Sequence, residues 1–220
     1  MKTEQELRNS TNWDYVELAI DVDVDKLRAW YDEIKQKFPE LKFSFAMKEY
    51  ILPREQHTDN SDVLYGGVHS FGMSWPVEQN LPIPPRYAAR PDLYPETTMS
   101  EEEFGAGMKV MERYKFGYFK ELLDRLGEDT FSWSRITVHD PAASIQPHTD
   151  GLHSIRLHIP IVTNDNAWFG WGDKKYNFIP GKVYLINTGI EHYTTNDGNT
   201  ERAHIISHPT NVSWLLEHLS

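Results

Sequence analysis

The chain has 220 residues, of which 39% are hydrophobic and 13% aromatic, and its formal net charge is -11. A chain of this length and apolar content can bury one sizeable core, so we exclude global disorder and expect one domain. The acidic surface repels phosphate, so we expect no nucleic-acid partner. There is no cysteine, which excludes disulfides and thiolate metal sites and leaves histidine, carboxylate and backbone oxygen as possible ligands.

The chain shows no sequence signal for a membrane or for export. Its N-terminal residues are polar and lack the apolar stretch of a secretory signal peptide. No run of apolar residues reaches the length of about 18 that a transmembrane helix needs. We therefore expect no membrane partner and, by default, a cytoplasmic location.

The first 130 residues predict strands, supporting helices and a proline-rich cap. Residues 13–20 and 41–52 have the apolar and aromatic content of strands. Residues 24–38 carry apolar side chains at helical spacing and stop before a proline, which predicts an amphipathic helix. Residues 53–97 hold seven of the 13 prolines and predict a long ordered loop, for which a binding lid and a structural wrap are equally open readings. Residues 100–126 predict a second helix, with a capping box at Ser100 and Glu103.

From residue 131 onward, short strands and turn signals alternate. A short helix near 211–219 follows them. The predicted strands are 131–139, 144–150, 154–162, 167–171, 175–179, 182–187, 190–195 and 201–207. This pattern predicts a mainly β fold with flanking helices, a double-stranded β-helix (jelly roll, cupin-like). The predicted organisation is therefore one domain over 1–220, with the jelly-roll core in 131–210 and the cap and supporting elements in 1–130.

The triplet His148-Thr149-Asp150 is the first feature that indicates chemistry. On a strand, residues i and i+2 point to the same face, so His148 and Asp150 can bind one ion together. His192 is the candidate for a third ligand. Two histidines and one carboxylate leave the opposite face of the metal open, which is the arrangement of non-haem iron(II) oxygenases. The predicted metal ligands, which are also the predicted catalytic residues, are therefore His148, Asp150 and His192.

Arginines near these ligands predict an anion site. Arg202 follows His192 by ten residues, with the hairpin signal Asn196-Asp197-Gly198-Asn199 between them. A hairpin with an odd-numbered loop places Arg202 directly opposite His192, whereas an even-numbered loop offsets the two by one position. On the strand 154–162, Arg156 and His158 share one face and Leu157, Ile159 and Ile161 the other, so the polar face either faces an anion or faces solvent.

Taken together, these motifs resemble the aspartyl/asparaginyl β-hydroxylase family, which includes bacterial relatives of proline hydroxylase. The resemblance covers roughly residues 130–210. Its motifs are Trp133 to Pro141 followed by Ile145 to Asp150, Arg156-Leu157-His158, Gly181-Lys182-Val183 leading to Glu191-His192, Arg202, and His208-Pro209. Animal aspartyl hydroxylases carry glycine where this chain has Asp150, so a complete triad is expected here.

The resemblance implies an iron- and 2-oxoglutarate-dependent dioxygenase. It implies Fe(II) on His148, Asp150 and His192, with 2-oxoglutarate as cosubstrate and O₂ as oxidant. It also implies that Arg202 binds the distal carboxylate of 2-oxoglutarate, assisted by Arg156 and His158. The expected reaction hydroxylates a free amino acid or a peptidyl residue and releases succinate and CO₂, so the expected partner is a small molecule or a peptide.

Two other histidines lie on predicted strands near these motifs, and two other functions remain open. We expect His204 to share a face with Arg202 in a supporting role, and His139 to be a structural or surface residue. One alternative function is a cupin-type metalloenzyme that does not use 2-oxoglutarate, and the other is a non-catalytic jelly-roll binding module. Dependence on 2-oxoglutarate separates the first alternative from the oxygenase, and metal-free ligand binding that survives His192→Ala would support the second.

Overall fold

The computed structural model describes residues 6–7, 10–38, 68–76, 108–150 and 155–218. Two short 3-10 helices, Glu112–Tyr114 and Glu128–Phe131, lie before and after the α-helix Gly117–Leu126. The helices are α1 (Val24–Lys37), α2 (Gly117–Leu126) and α3 (Val212–Leu216). The strands are β1 (Tyr15–Leu18), β2 (Val68–Gly72), β3 (Ser74–Pro76), β4 (Met108–Val110), β5 (Arg135–His139), β6 (Ser144–His148), β7 (Ile155–Val162), β8 (Ala167–Trp171), β9 (Lys174–Tyr176), β10 (Val183–Asn187), β11 (His192–Asn196) and β12 (Arg202–Ser207).

Two antiparallel sheets form the body of the fold. The major sheet has six strands in the order β1-β10-β7-β12-β5-β2, and the minor sheet has four in the order β6-β11-β8-β9. Strands β3 and β4 form a separate pair. Successive segments alternate between the two sheets: β5 is in the major sheet, β6 in the minor, β7 in the major and β8 in the minor. This alternation is the arrangement of a double-stranded β-helix, and the predicted fold class is confirmed.

The two faces of the major sheet have different chemistry, which follows from strand alternation. On β7, Leu157, Ile159 and Ile161 are fully buried in the main apolar cluster, together with residues of α1 and α2. Helix α1 contacts both β7 and α2. Arg156 and His158 point the other way, into the space between the sheets. The predicted division of this strand into an apolar and a polar face is therefore confirmed, and its polar face is buried, not exposed to solvent.

The predicted helix over 100–126 is wrong in its described first half. Met108–Val110 is strand β4, a 3-10 turn follows, and α2 begins only at Gly117. Gly117 has a φ of 54°, a left-handed conformation that a continuous α-helix does not contain. Phe116 before it is extended, so the helical periodicity of the side chains across this point does not reflect one helix. Residues 100–107 lie outside the described part of the chain.

The other predicted elements agree with the structure to within a few residues, with two qualifications. The strand predicted over 41–52 lies outside the described residues, as does most of the proline-rich segment 53–97. Within that segment residues 68–76 are described, and they form β2 and β3, not loop. Strand β2 pairs with β5 and thereby forms one edge of the major sheet. None of the helices in the described ranges is long and apolar enough to cross a bilayer.

Candidate functional site

The three predicted metal ligands come together between the sheets. His148 on β6 and His192 on β11 are direct cross-strand partners, and their ring centroids lie 4.4 Å apart. Asp150 lies just beyond β6, where its backbone N–H donates to the Thr188 carbonyl at 3.0 Å. One ligand atom from each residue can be chosen so that all three lie within 4.8 Å of one another. Strand β6 ends at His148 and not at 150 as predicted, but Asp150 still faces the two histidines.

Both histidines present the same nitrogen to this cluster. The Nδ1 of His148 lies 2.8 Å from the Gln146 carbonyl, and the Nδ1 of His192 lies 2.9 Å from the Ile190 carbonyl. A carbonyl only accepts hydrogen bonds, so each Nδ1 carries a proton and each Nε2 is the nitrogen that faces Asp150. These Nε2 atoms are 3.5 Å and 4.0 Å from the Asp150 carboxylate. Backbone carbonyls that fix the tautomer of a ligating histidine are the usual support of a protein metal site.

Asp150 is held as a carboxylate by its neighbours. The Nε of Arg156 donates to its Oδ2 at 2.7 Å. Burial acts to raise the pKa of Asp150, but Arg156, His148 and His192 outweigh burial and hold the pKa well below its usual range. A carboxylate that stays ionised at all ordinary pH values is a suitable ligand for a divalent cation.

The cluster is open on one side and closed on the other. The side chains of His148 and Asp150 are 25% and 22% exposed, whereas that of His192 is 4% exposed. The ring of Phe169 on β8 stacks on His192 at 5.3 Å with an interplanar angle of 10°. Burial lowers the pKa of His192. Burial also acts to lower the pKa of His148, but the hydrogen bonds of His148 to Asp150 and to the Gln146 carbonyl outweigh burial and raise this pKa above its usual value. The His148 side of the cluster is therefore its more exposed side.

The predicted hairpin between His192 and Arg202 is wrong. Strand β11 belongs to the minor sheet and β12 to the major sheet, so Arg202 pairs with His139 on β5 and not with His192. The segment between them is a corner that changes sheets. Asn196 is fully buried there, and its side-chain amide lies about 3 Å from the carbonyls of His139 and Asp140, which belong to a distant part of the chain. These long-range bonds, together with a bond to Thr200, favour the corner over a local hairpin.

Arg202 nevertheless points into the space between the sheets, where it is a buried cation without a carboxylate partner among the described residues. Only 2% of it is exposed, and its Nη1 and Nη2 lie 3.3 Å and 3.4 Å from the Nδ1 atoms of His139 and His204. Burial lowers the pKa of Arg202, because desolvation penalises the charged form. A buried guanidinium without a counter-ion needs an anionic ligand.

Arg156 and His158 lie beside the cluster, in different environments. The Nη1 of Arg156 is buried and has no hydrogen-bond partner, although its Nε is bound to Asp150. His158 is close to His204, with 3.4 Å between their Nδ1 atoms. Burial, followed by the charges of Arg202, Arg135 and Arg156, lowers the pKa of His158 well below its usual value, so this imidazole is neutral. Among the described residues, the space between the sheets therefore contains several basic side chains and a single carboxylate, that of Asp150.

Sequence reasoning missed one residue of this site and understated another. His139 is 1% exposed and contacts Arg202, whereas the sequence predicted a structural or surface role. Arg135, four residues earlier on the same strand, acts electrostatically on Asp150 and His158. The available signal was the alternation of Arg135, Thr137 and His139 on one face of a predicted strand, which is the face opposite the apolar Ile136 and Val138.

The solved structures that match this chain are distant from it. A prolyl-4-hydroxylase from Pseudomonas putida is 10% identical, with 92% of this chain and 95% of that chain covered and a TM-score of 0.42. An oxidoreductase of the 2OG-Fe(II) oxygenase family from Burkholderia pseudomallei is 12% identical, with coverages of 63% and 64% and a TM-score of 0.34. A predicted oxalate decarboxylase from Thermotoga maritima is 15% identical, with coverages of 44% and 73% and a TM-score of 0.31. Likeness at this level says nothing about the reaction.

The sequence itself carries a match to one protein family. Comparison with curated proteins gives no match. Residues 107–209, which contain every side chain of the cluster and of the anion site described above, match the sequence model of the family described as Aspartyl/Asparaginyl beta-hydroxylase. The resemblance drawn from the motifs is thus confirmed over residues 107–209, which make up just under half of the chain.

Proposed function

We propose that the chain is an Fe(II)- and 2-oxoglutarate-dependent dioxygenase that hydroxylates a free amino acid or a peptidyl residue. The observation that carries the proposal is that the space between the two sheets contains both a His-Asp-His cluster and a buried arginine, which has no carboxylate partner among the described residues. The cluster suits a divalent cation and the arginine suits a carboxylate. A dicarboxylate cosubstrate that reaches from one to the other uses both features together.

The donor set fits iron better than the other common metals. Two neutral imidazoles and one carboxylate on one side of an ion leave the other coordination positions open, as in non-haem iron oxygenases. His148, Asp150 and His192 would hold the ion through Nε2, a carboxylate oxygen and Nε2. When bound, Fe(II) supplies the activation of O₂ that no side chain can provide. Without cysteine in the chain, a thiolate zinc site is excluded.

The chain's own residues would then bind and orient the cosubstrate. Arg202 would pair with the distal carboxylate of 2-oxoglutarate, since its charge is desolvated and has no carboxylate partner among the described residues. Arg156 would hold Asp150 through Nε and offer its unpartnered Nη1 to the proximal carboxylate. Neutral His158 would line the cavity between them. The expected products are succinate, CO₂ and the hydroxylated substrate.

The proposal is tested by cosubstrate turnover. We expect purified protein with Fe(II), ascorbate and O₂ to release succinate from 2-oxoglutarate, slowly alone and faster with the right amino acid or peptide. His192→Ala should abolish succinate release. His218→Ala, which removes a histidine outside the cavity, should leave it unchanged.

The failures of this test have different meanings. Metal binding by wild type without any consumption of 2-oxoglutarate would favour a cupin-type metalloenzyme. Neither metal binding nor turnover, together with ligand binding that survives His192→Ala, would favour a non-catalytic binding module.

A further inference from the structure

His139 joins the anion site to the metal-ligand strand across the interior of the fold. It lies at the end of β5 in register with Arg202 on β12, in the major sheet. Its Nδ1 is 3.3 Å from Arg202 Nη1, and its Nε2 is 2.8 Å from Thr194 Oγ1 on β11, in the minor sheet. Thr194 is two residues from His192, so one imidazole connects the buried guanidinium to the strand that carries a proposed metal ligand.

The hydrogen-bond chemistry fixes the proton of this imidazole. A guanidinium nitrogen only donates, so the Nδ1 of His139 has to accept from Arg202. The ring then carries its proton on Nε2, which donates to the Thr194 hydroxyl. Thr194 is 5% exposed and His139 is 1% exposed, so water does not compete effectively for either bond.

His204 supports the same guanidinium from the other side. Its Nδ1 lies 3.4 Å from Arg202 Nη2, which again requires a lone pair on that nitrogen. Burial, and then the charge of Arg202, lowers the pKa of His204 well below its usual value, so this acceptor is neutral. The two imidazoles therefore fix the direction of the guanidinium without cancelling its charge.

A carboxylate in the place of either imidazole would act differently. It would bind Arg202 more strongly, but it would also neutralise the charge that an anionic ligand needs. Neutral acceptors orient the cation and leave its attraction for a carboxylate intact. This choice of residue type suits a site that has to bind and release a dicarboxylate.

We propose that His139, backed by Thr194, is a positioning residue that orients Arg202 for the distal carboxylate of the cosubstrate while leaving the arginine charged. The inference rests on the proposed function. It concerns the affinity for the cosubstrate and not the chemistry of oxidation, so binding is the measurement that tests it.

The experiment compares three substitutions at one position in Mn(II)-loaded protein, which does not turn over. His139→Asn keeps a neutral acceptor near the position of Nδ1. His139→Asp places a charged acceptor there, on a side chain of nearly the same shape as asparagine. His139→Leu removes the acceptor. The dissociation constant of 2-oxoglutarate is measured by calorimetry. We expect a loss of about threefold for the Asn variant, about tenfold for the Leu variant, and about 100-fold or more for the Asp variant.

Comparison of the Asn and Asp variants distinguishes a positioning role of His139 from a purely structural one. The Asp variant should have a higher melting temperature than the Asn variant, because its carboxylate pairs with Arg202, and yet bind 2-oxoglutarate more weakly. Thr194→Val should weaken 2-oxoglutarate binding severalfold, and the effect should largely disappear in the His139→Leu background because the two residues act in series.

The outcomes separate the two proposals. If wild type binds Mn(II) and 2-oxoglutarate but the Asn and Asp variants bind 2-oxoglutarate equally well, the positioning role of His139 is wrong and the proposed function stands. If wild type binds Mn(II) but shows no affinity for 2-oxoglutarate, the proposed function is wrong, and this inference fails with it. Mn(II) affinity, measured by electron paramagnetic resonance, should be the same in all the position-139 variants, which excludes damage to the metal cluster.

Discussion

The histidines between the two sheets have different tasks because their hydrogen-bond partners differ. His148 and His192 give their Nδ1 protons to backbone carbonyls and keep Nε2 for the cluster. His139 and His204 do the reverse, because the guanidinium of Arg202 faces their Nδ1 atoms. One residue type thus serves as proposed metal ligand and as neutral support for a cation, and the neighbouring atoms determine the role.

Asp150 is expected to make the metal-free protein sensitive to acid. Its folded-state pKa lies well below the usual aspartate value of about 4, so the stability it contributes is fully present above that usual value and is lost as the pH falls through the folded pKa. Asp150→Asn should lower the free energy of unfolding by about 2 kcal/mol at pH 7, because Arg156 loses its charged partner. The difference between the two proteins should shrink below about pH 4.

Urea denaturation of metal-free protein from pH 7 to pH 3 measures this difference. A constant gap between wild type and Asp150→Asn over the whole range would contradict the depressed pKa. The same variant should bind Mn(II) at least about tenfold more weakly if Asp150 is a ligand.

At the scale of elements, the side-chain packing on the outer face of the minor sheet requires a glycine at position 170. A Cβ built on Gly170 of β8 would lie 2.1 Å from the ring of Tyr193, its register partner on β11. Tyr193 therefore lies flat across β8 only because residue 170 has no side chain. The contact matters for the site because β11 carries His192 on its opposite face.

Gly170→Ala should lower the free energy of unfolding by about 2 kcal/mol, because the ring of Tyr193 has to move away from β8. Tyr193→Ala should make the same glycine substitution nearly neutral. Chemical denaturation of the two single variants and the double variant measures the coupling. Additive effects of the two substitutions would show that the ring does not limit residue 170.

Side-chain alternation predicts where the strands lie better than it predicts which strands pair with one another. The HxD pair and the two faces of β7 follow from a period of two residues, which is a local property of the sequence. The cross-strand pairing of His148 with His192, and of Arg202 with His139, depends on which strands meet, and no spacing in the sequence encodes that. For the same reason the sequence predicts only a structural or surface role for His139, since its contact with Arg202 exists only after β5 and β12 pair.

At the scale of the whole molecule, the mistaken hairpin shows where local signals fail. The sequence Asn196-Asp197-Gly198-Asn199 is typical of a tight turn, but the same residues also suit a corner between two sheets. What decides between them is the buried side chain of Asn196, whose Oδ1 accepts from Asn164 and whose amide reaches the end of β5. The single-domain organisation predicted over 1–220 stays a prediction, since the described residues leave gaps.

Asn196→Ala should lower the free energy of unfolding by about 3 kcal/mol, because it removes the hydrogen bonds from the Asn196 amide to the carbonyls of His139, Asp140 and Thr200 and one acceptor of the Asn164 amide. Asn166→Ala, an exposed asparagine near the same corner, is the matched control and should change stability by less than about 0.5 kcal/mol. Thermal and urea denaturation compare the two variants. Equal stability of both would show that the corner does not depend on Asn196.

The most direct test of the central claim is an anaerobic titration of metal-free protein with Fe(II) and then 2-oxoglutarate, followed by visible absorbance. We expect a weak charge-transfer band in wild type that is absent in His148→Ala and that needs far more 2-oxoglutarate in Arg202→Ala. No band at any 2-oxoglutarate concentration in wild type at good iron occupancy would contradict the proposed joint site for iron and 2-oxoglutarate.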